Sequence, residues 1–478
     1  MTPDEFRARG HELIDWIADF RRRVYAGEYP ALAQVPHGRL RAQLPASPPQ
    51  AGESFDAIVR DLDAHIVPAS SHFLHPSYFA YFPCNSLLAS VLGDCLSTGL
   101  AQLGLNWASS PALTELEELT TDWFRQMLGL SDAWSGVIQD TASSASLVAL
   151  LCARERATGH SAERGGLQAE ASPVIVYSSV ENHSSIEKAA LLAGFGRDNL
   201  RLIPVDRDDH ALRLDALQAA IERDLANGAA PGALVATIGT TGTTAIDPLA
   251  GMAKIARRYG IWLHVDAAMG GSAMILPECR GLWQGVEAAD SLVINPHKWL
   301  GAAFDCTTYF VRDPRELVSV MSTNPSYLRT GADGEAKSLR DWGIPLGRRF
   351  RALKLWFLIR EQGVAGLQAR LRRDLANAQW LKEQVDAAPG WKRLAPVPLQ
   401  TVCVRHEPAG LEAEALDRHT LGWCSRINAS GKAWLTPALL NGRWMVRVSI
   451  GAEATERRHV QALWDLMRRE AESVNQNI

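Results

Sequence analysis

Cysteine is sparse and unpaired in this chain. The seven cysteines among 478 residues, Cys84, Cys95, Cys152, Cys279, Cys306, Cys403 and Cys424, form no C-x-x-C pair, which excludes the common zinc and dithiol motifs. An odd count of scattered thiols points instead to a reducing, cytoplasmic setting. An excess of charge of one sign is also lacking. Lys and Arg total 49 against 53 Asp and Glu, a net charge of −4, too small an imbalance for a general binder of nucleic acid or anionic membrane. No apolar run approaches the ~18–20 residues needed to span a bilayer, and the opening Thr2-Pro3-Asp4-Glu5 is acidic, so neither secretion nor membrane insertion is expected. What is present is ordinary globular material, 47% hydrophobic and 21% charged, enough at roughly 100–200 residues per domain for two or three domains. The expected partners are small molecules or a second copy of the chain.

Thr2 and Glu5 have capping-box spacing, with Pro3 at the first helical position. Phe6, Leu13, Ile14, Ile17, Phe20 and Val24 then recur at helical intervals. A proline-rich connector closes with Pro45-Ala46-Ser47-Pro48-Pro49, and a second helix is predicted from Phe55 to Val67. Residues 1–87 therefore read as a helical segment with too few facing surfaces to bury its own stripes, expected to pack on another subunit. Short apolar runs follow at Val174–Tyr177, Leu202–Val205, Leu234–Thr237 and Ile261–Val265. They alternate with helical stretches at Ser185–Phe195, Leu214–Ala226 and Pro248–Tyr259, the pattern of an α/β domain with a mainly parallel sheet, placed at residues 88–349. Ligands of such sheets sit at the carboxyl ends of the strands. After a helix at Phe350–Glu361, the strand Trp444–Ile450 alternates in polarity and a last helix runs through Val460, Leu463, Trp464 and Met467. Residues 350–478 thus read as a small α+β domain with a half-exposed sheet.

The strongest chemical signal is Asn295-Pro296-His297-Lys298-Trp299, just after the strand-like Ser291–Ile294. Alone, Lys298 reads as a solvated loop lysine. Asp266, closing the run Ile261–Val265 ahead of the small residues Ala267, Ala268, Gly270 and Gly271, puts a carboxylate on the same sheet edge. A pyridoxal phosphate enzyme needs a lysine for the Schiff base, a carboxylate for the pyridine nitrogen, a flat side chain over the ring and an anion site for the phosphate. His183, after the strand Val174–Tyr177, offers the flat face, although a lone histidine is more often structural. The run Gly136 to Ser144 passes from a strand into a helix, where backbone N–H groups and the hydroxyls of Thr141 and Ser143 await an anion, or where Thr141 or Ser143 is an ordinary cap. Gly239-Thr240-Thr241-Gly242-Thr243-Thr244 reads as a ligand-approaching loop or a simple turn.

The order phosphate turn, His183, Asp266, Lys298 is that of fold-type I pyridoxal-phosphate enzymes. The chain resembles the group II decarboxylases over nearly its whole length, specifically the aromatic-L-amino-acid decarboxylases and most of all bacterial DOPA and tryptophan decarboxylases. The resemblance rests on His75-Pro76 with Phe79-Ala80-Tyr81-Phe82-Pro83, Ser110-Pro111-Ala112 with Glu115-Leu116-Glu117, His264 to Ala268, Asn295 to Trp299, and Arg340 to Arg351. It implies that Lys298 holds the cofactor, Asp266 pairs with the ring nitrogen and His183 stacks on the ring. Thr141, Ala142, Ser143, Asn295 and His297 then serve the phosphate, with Thr241 and Ala268 against the ring. It further implies that Tyr327, in the polar stretch from Met321 to Lys337 with the character of a lid, returns a proton to the substrate's Cα. Related aldehyde synthases commonly carry phenylalanine there. Phe73, Tyr81, Phe82, Pro83, Cys84, Leu103 and Leu105 match the family's substrate wall. Departures at Phe73, Cys84, Leu105 and Met269, and Asp140 where glycine often precedes the phosphate turn, leave ring preference and the role of Asp140 open. The implied activity is decarboxylation of aromatic L-amino acids (DOPA, tryptophan, 5-hydroxytryptophan, tyrosine or phenylalanine) by a cytoplasmic homodimer. The alternatives are an aldehyde synthase, a decarboxylase of a non-aromatic acid and, remotely, an inactive scaffold.

Overall fold

A computed structural model describes residues 1–323 and 336–473, which form two compact units. The larger contains Cys84–Leu375 and Ala395–Thr401; the smaller contains Met1–Pro83, Ala376–Leu394 and Val402–Ile478.

The larger unit is built on a seven-stranded sheet of β1 (Ser135–Gln139), β2 (Val174–Ser179), β3 (Leu200–Ile203), β4 (Ala230–Thr237), β5 (Trp262–Asp266), β6 (Ser291–Ile294) and β7 (Thr307–Val311), in the order β1-β7-β6-β5-β4-β2-β3. Only β7 runs against its neighbours, so the carboxyl ends of the other six share one edge. This is the fold-type I α/β architecture expected from the sequence. Every residue of β2, β5 and β6 is buried, as continuous apolar strands covered on both faces must be. Register fixes the edge: Thr237 lies opposite Asp266, and Asp266 opposite Val293. The connecting helices fall close to their expected spans, at Ser184–Leu192, Leu214–Ala226 and Leu249–Tyr259. β3 ends at Ile203, one residue before Pro204, which has no N–H for a sheet ladder.

Small residues after Asp266 permit close backbone approach. A Cβ on Gly270 would meet the Ile238 carbonyl oxygen at 2.3 Å, and one on Gly271 would meet Ile294 at 2.5 Å. His264, fully buried in β5, ties three elements together. Its Nδ1 faces Ser291 Oγ at 2.9 Å and its Nε2 faces Ser146 Oγ at 3.3 Å.

The smaller unit opens with the helix Pro3–Tyr25. Both halves of its capping box form, Thr2 N–H donating to Glu5 Oε2 at 2.7 Å and Glu5 N–H to Thr2 Oγ1 at 3.2 Å. Its sheet has the order β10 (Thr436–Leu440), β11 (Arg443–Ser449), β9 (Thr401–His406), β8 (Trp391–Arg393). The exposed face expected from the alternation in β11 is not found in that strand, because Met445 to Ser449 are buried whichever face they occupy, whereas β10 and β8 remain partly exposed. The segment before Pro83 contacts this strand. The Ser449 N–H donates to the Phe79 carbonyl at 2.9 Å, and the Arg447 guanidinium lies 5.0 Å from the Phe82 ring centroid. In the larger unit, the helix expected at Phe350–Glu361 is found from Ala352, interrupted at Gly363, whose φ of 61° breaks helical geometry; beyond Leu375 its continuation to Ala387 belongs to the smaller unit. Among the described residues no helix is long and apolar enough to cross a membrane.

Candidate active site

Lys298 sits in a tight turn, Pro296–Leu300, directly after β6, with φ −91° and ψ −110°. The turn is clamped on both sides. Lys298 N–H donates to the Asn295 carbonyl at 3.0 Å, and Leu87 N–H donates to the Gly301 carbonyl at 2.9 Å. Helix Ala352–Ala387 braces the next residue. Trp299 Nε1–H donates to Asp374 Oδ2 at 3.0 Å, while Arg370 Nη2 donates to the carbonyls of Trp299 and Leu300 at 2.6 and 2.7 Å. Burial lowers the Lys298 ammonium below its ordinary range against the opposing pull of Asp266, which favours the neutral, nucleophilic amine.

Asp266 ends β5 with its carboxylate buried, Oδ1 accepting the Ala268 N–H at 3.0 Å. Ala268 in turn accepts from the Asn295 N–H at 3.0 Å, so the backbone of the small-residue run links Asp266 to the lysine turn. His183 caps the helix Ser184–Leu192. Its Nδ1 accepts from Ser185 N–H at 3.1 Å, which places the proton of the neutral ring on Nε2. Burial lowers the His183 imidazolium and Asp266 raises it, with Lys298 also in electrostatic reach, so these three residues share one electrostatic neighbourhood. As a residue His183 nonetheless remains exposed to solvent.

The candidate anion site is the start of the helix Ala142–Thr158. Thr141 takes the cap position, yet its side chain makes no capping bond, contrary to the simple N-cap reading. A helix leaves its first N–H groups without intrahelical acceptors, here those of Ala142, Ser143 and Ser144. Buried His297 stands nearby in sequence to Lys298. Its Nδ1 accepts from Cys306 N–H at 3.1 Å, and burial pushes the imidazolium down to about 4, leaving a neutral ring with its proton on Nε2. Asn295 gives its side-chain oxygen to Thr307 Oγ1 at 2.9 Å, which leaves its amide N–H₂ as the donor. Thr241 lies in a turn closed by Thr240, whose Oγ1 accepts from Ala245 N–H at 3.0 Å; the Glu181 carboxylate abuts Gly242 beside it.

The residues matched to a substrate wall divide between the units. In the smaller unit, exposed Phe73 and Tyr81 pack around Trp434, at 5.6 Å between ring centroids in each case. Phe82 lies under Arg447, and Pro83 is buried. In the larger unit, burial raises the Cys84 thiol while Lys298 opposes that shift. Leu105 accepts the Arg340 N–H through its carbonyl at 3.3 Å, and Leu103 is exposed. Tyr327 lies outside the described residues.

Three supports were not legible as such in the sequence. Thr307 reaches both Asn295 and the Asp140 carbonyl from the antiparallel strand β7. Asp374 falls in the buried stripe Leu367, Leu371, Ala378, where a charge among leucines is the available signal. Glu117 occupies the same kind of position between Leu113 and Phe124. Its Oε1 accepts from Arg348 Nη2 at 2.6 Å and from Ile138 N–H at 2.7 Å, holding β1, the strand that precedes the candidate anion site.

Pyridoxal phosphate fits this edge by the chemistry of its donors: a desolvated amine, a buried carboxylate, an exposed histidine and a helix start whose cap hydroxyl is unused. The sequence profile described as the pyridoxal-dependent decarboxylase conserved domain matches residues 36–407. A tryptophan decarboxylase of Camptotheca acuminata is 39% identical over 99% of this chain and 96% of its own length. A phenylacetaldehyde synthase of Arabidopsis thaliana is 39% identical over 98% and 96%. The crystal structure of the Oryza sativa enzyme TDC with pyridoxal phosphate and tryptamine superposes with a TM-score of 0.96 at 36% identity, covering 99% of both chains. The chain belongs to the pyridoxal-dependent decarboxylases, lyases that work through a bound pyridoxal cofactor.

Proposed function

We propose that this protein removes the carboxylate of aromatic L-amino acids as carbon dioxide, releasing the corresponding amines. The observation that carries this reading is the shared electrostatic neighbourhood of Lys298, Asp266 and His183 on one sheet edge, in a chain that matches an aromatic amino acid decarboxylase along its full length. When bound, the cofactor supplies an electron sink for the pair left at Cα. Lys298 anchors it through the neutral amine, and Asp266 keeps a positive charge on the ring nitrogen by proximity. His183 would stack on the ring, and Ala268 and Thr241 would lie against it. Thr141, Ala142 and Ser143, with Asn295 and His297, hold the phosphate through N–H and O–H donors. Tyr327 returns the proton to Cα, and Phe73, Tyr81, Phe82, Pro83, Cys84, Leu103 and Leu105 receive an aromatic side chain.

The matched wall supplies no cationic residue, which ranks acidic substrates below aromatic ones. The working form is a homodimer in a reducing cytoplasm, supported by an exposed leucine stripe and by seven free thiols. A second reading, oxidative release of an aldehyde, draws on the resemblance to phenylacetaldehyde synthase; the tyrosine at position 327 speaks for plain decarboxylation.

The test is mass-spectrometric product analysis of the cofactor-loaded protein with a panel of aromatic and acidic L-amino acids, with Lys298→Ala as control. Aromatic amines formed only with Lys298 intact are expected. Aldehydes with ammonia and oxygen uptake would establish the second reading, and products from acidic substrates alone would overturn the aromatic assignment.

A further inference from the structure

Asp140 places a fixed negative charge at the mouth of an anion site. It links β1 to the helix Ala142–Thr158, and its Oδ1 accepts the Thr141 N–H at 2.7 Å, so one amide at this helix start is already satisfied by a carboxylate from the chain itself. The position is held from behind. Thr307 Oγ1 lies 2.9 Å from the Asp140 carbonyl and 2.9 Å from Asn295 Oδ1. Arg351 feels the Asp140 charge, but its guanidinium is engaged by Asp305 at 2.8 and 3.2 Å and does not pair with Asp140 directly. A carboxylate at a helix amino terminus stabilises the helix, whereas a dianionic phosphate brought to the same terminus is repelled by it.

We infer that Asp140 is a resident anion that competes electrostatically with the cofactor's phosphate, stabilising the cofactor-free helix start and weakening retention of the phosphorylated cofactor. This rests on the reading that the start of Ala142–Thr158 holds that phosphate. The sequence departure at Asp140 then has a function: it shifts the balance between cofactor-free and loaded protein without touching the reacting atoms.

Asp140→Asn keeps an oxygen acceptor for the Thr141 N–H and removes only the charge. In titrations of cofactor-free protein, Asp140→Asn is expected to bind pyridoxal phosphate roughly tenfold more tightly, while its affinity for unphosphorylated pyridoxal moves less than about twofold. The cofactor-free variant is expected to melt at a lower temperature than the parent, because the helix start loses its charged partner. Equal shifts for both ligands, or weaker phosphate-ester binding, would overturn the inference. Ser143→Ala separates the two levels of argument. If it lowers the preference for pyridoxal phosphate over pyridoxal while Asp140→Asn leaves that preference unchanged, the competing-anion inference alone fails. If neither variant moves the preference, the phosphate does not sit at this helix start and the underlying reading fails with it.

Discussion

The indole N–H of Trp299 donates to Oδ2 of Asp374 across 75 residues of sequence, at 3.0 Å and in full burial. The same carboxylate receives Arg373 through Nη2 at 3.0 Å and stands 4.0 Å from Arg370, whose other nitrogen holds the carbonyls of Trp299 and Leu300. The turn that presents Lys298 is thereby fastened to a helix rather than left as a loop.

Removing the Asp374 carboxylate strips the counter-charge from two arginines and the acceptor from the indole. Asp374→Ala is expected to cost about 3 kcal/mol or more of unfolding free energy, the usual result of breaking a buried ion pair by truncating one partner. Asp374→Asn keeps an acceptor for Trp299 and should fall between variant and parent. Denaturant unfolding of the three proteins measures this. A loss below about 0.5 kcal/mol in Asp374→Ala, the range of ordinary surface changes, would show that the brace contributes nothing to stability.

The positions of the residues proposed to carry the chemistry were more legible than the residues that hold them. Lys298, Asp266 and His183 could be placed on one edge because each follows a short apolar run, and a parallel sheet brings the ends of such runs together. Thr307 begins β7, which runs against its neighbours in the seven-stranded sheet, so nothing local announces that its hydroxyl turns back toward Asn295 and Asp140. Asp374 and Glu117 read as helix charges until the apolar stripes around them show that they face inward. Likewise the alternation in β11 describes one strand, and no pattern within that strand reveals that Phe82 lies against Arg447 or that the Phe79 backbone joins its end. Binary patterning states which positions are able to be exposed; contacts distant in sequence decide which are.

Acid should destabilise the cofactor-free protein in a definite window. Burial pushes His75, His264, His297 and His419 down to about 4 from an ordinary value of 6.5. Between those values the unfolded chain takes up protons that the folded chain refuses. Stability is therefore intact above pH 6.5 and falls as the pH drops toward 4, by up to on the order of 3 kcal/mol for the deeply buried His264 and His297 and by less for His75 and His419, where solvent screens the charge. Asp247 acts in the opposite sense. Burial raises its carboxyl to about 6, so the folded chain holds that proton more firmly between pH 6 and 3.8 and recovers part of the loss. His72, His183 and His406 are lowered in the same sense, and Glu118, Glu181 and Asp374 are raised in the sense of Asp247, so the four strongly lowered histidines set a net fall. Melting temperature recorded from pH 7.5 to 4 should decline steeply below 6.5, and His264→Asn, which retains side-chain hydrogen-bonding capacity toward Ser146 and Ser291, should flatten that decline. A flat profile in the parent protein would contradict the assignment of neutral buried imidazoles.

The helix Leu88–Gly99 buries Ser90, Gly93 and Ser97 on its inner side, where a Cβ on Gly93 would meet Lys354 Cα at 2.8 Å. Its outer side shows leucine at every fourth position. Leu88, Leu92, Leu96 and, just beyond the helix, Leu100 are each between 46% and 53% exposed. Residues four apart share one helix face, so these four side chains form a continuous apolar stripe, the kind of surface that soluble proteins cover by association. With a second copy as the proposed occupant, the same stripe meets itself or a neighbouring apolar surface across a twofold axis. Leu92→Glu with Leu96→Glu puts two charges into that contact while leaving the buried side of the helix untouched. Sedimentation should then show a dimeric parent and a monomeric double variant with unchanged circular dichroism. A parent that sediments as a monomer, or a double variant that remains dimeric at the same concentration, would remove this helix from the interface.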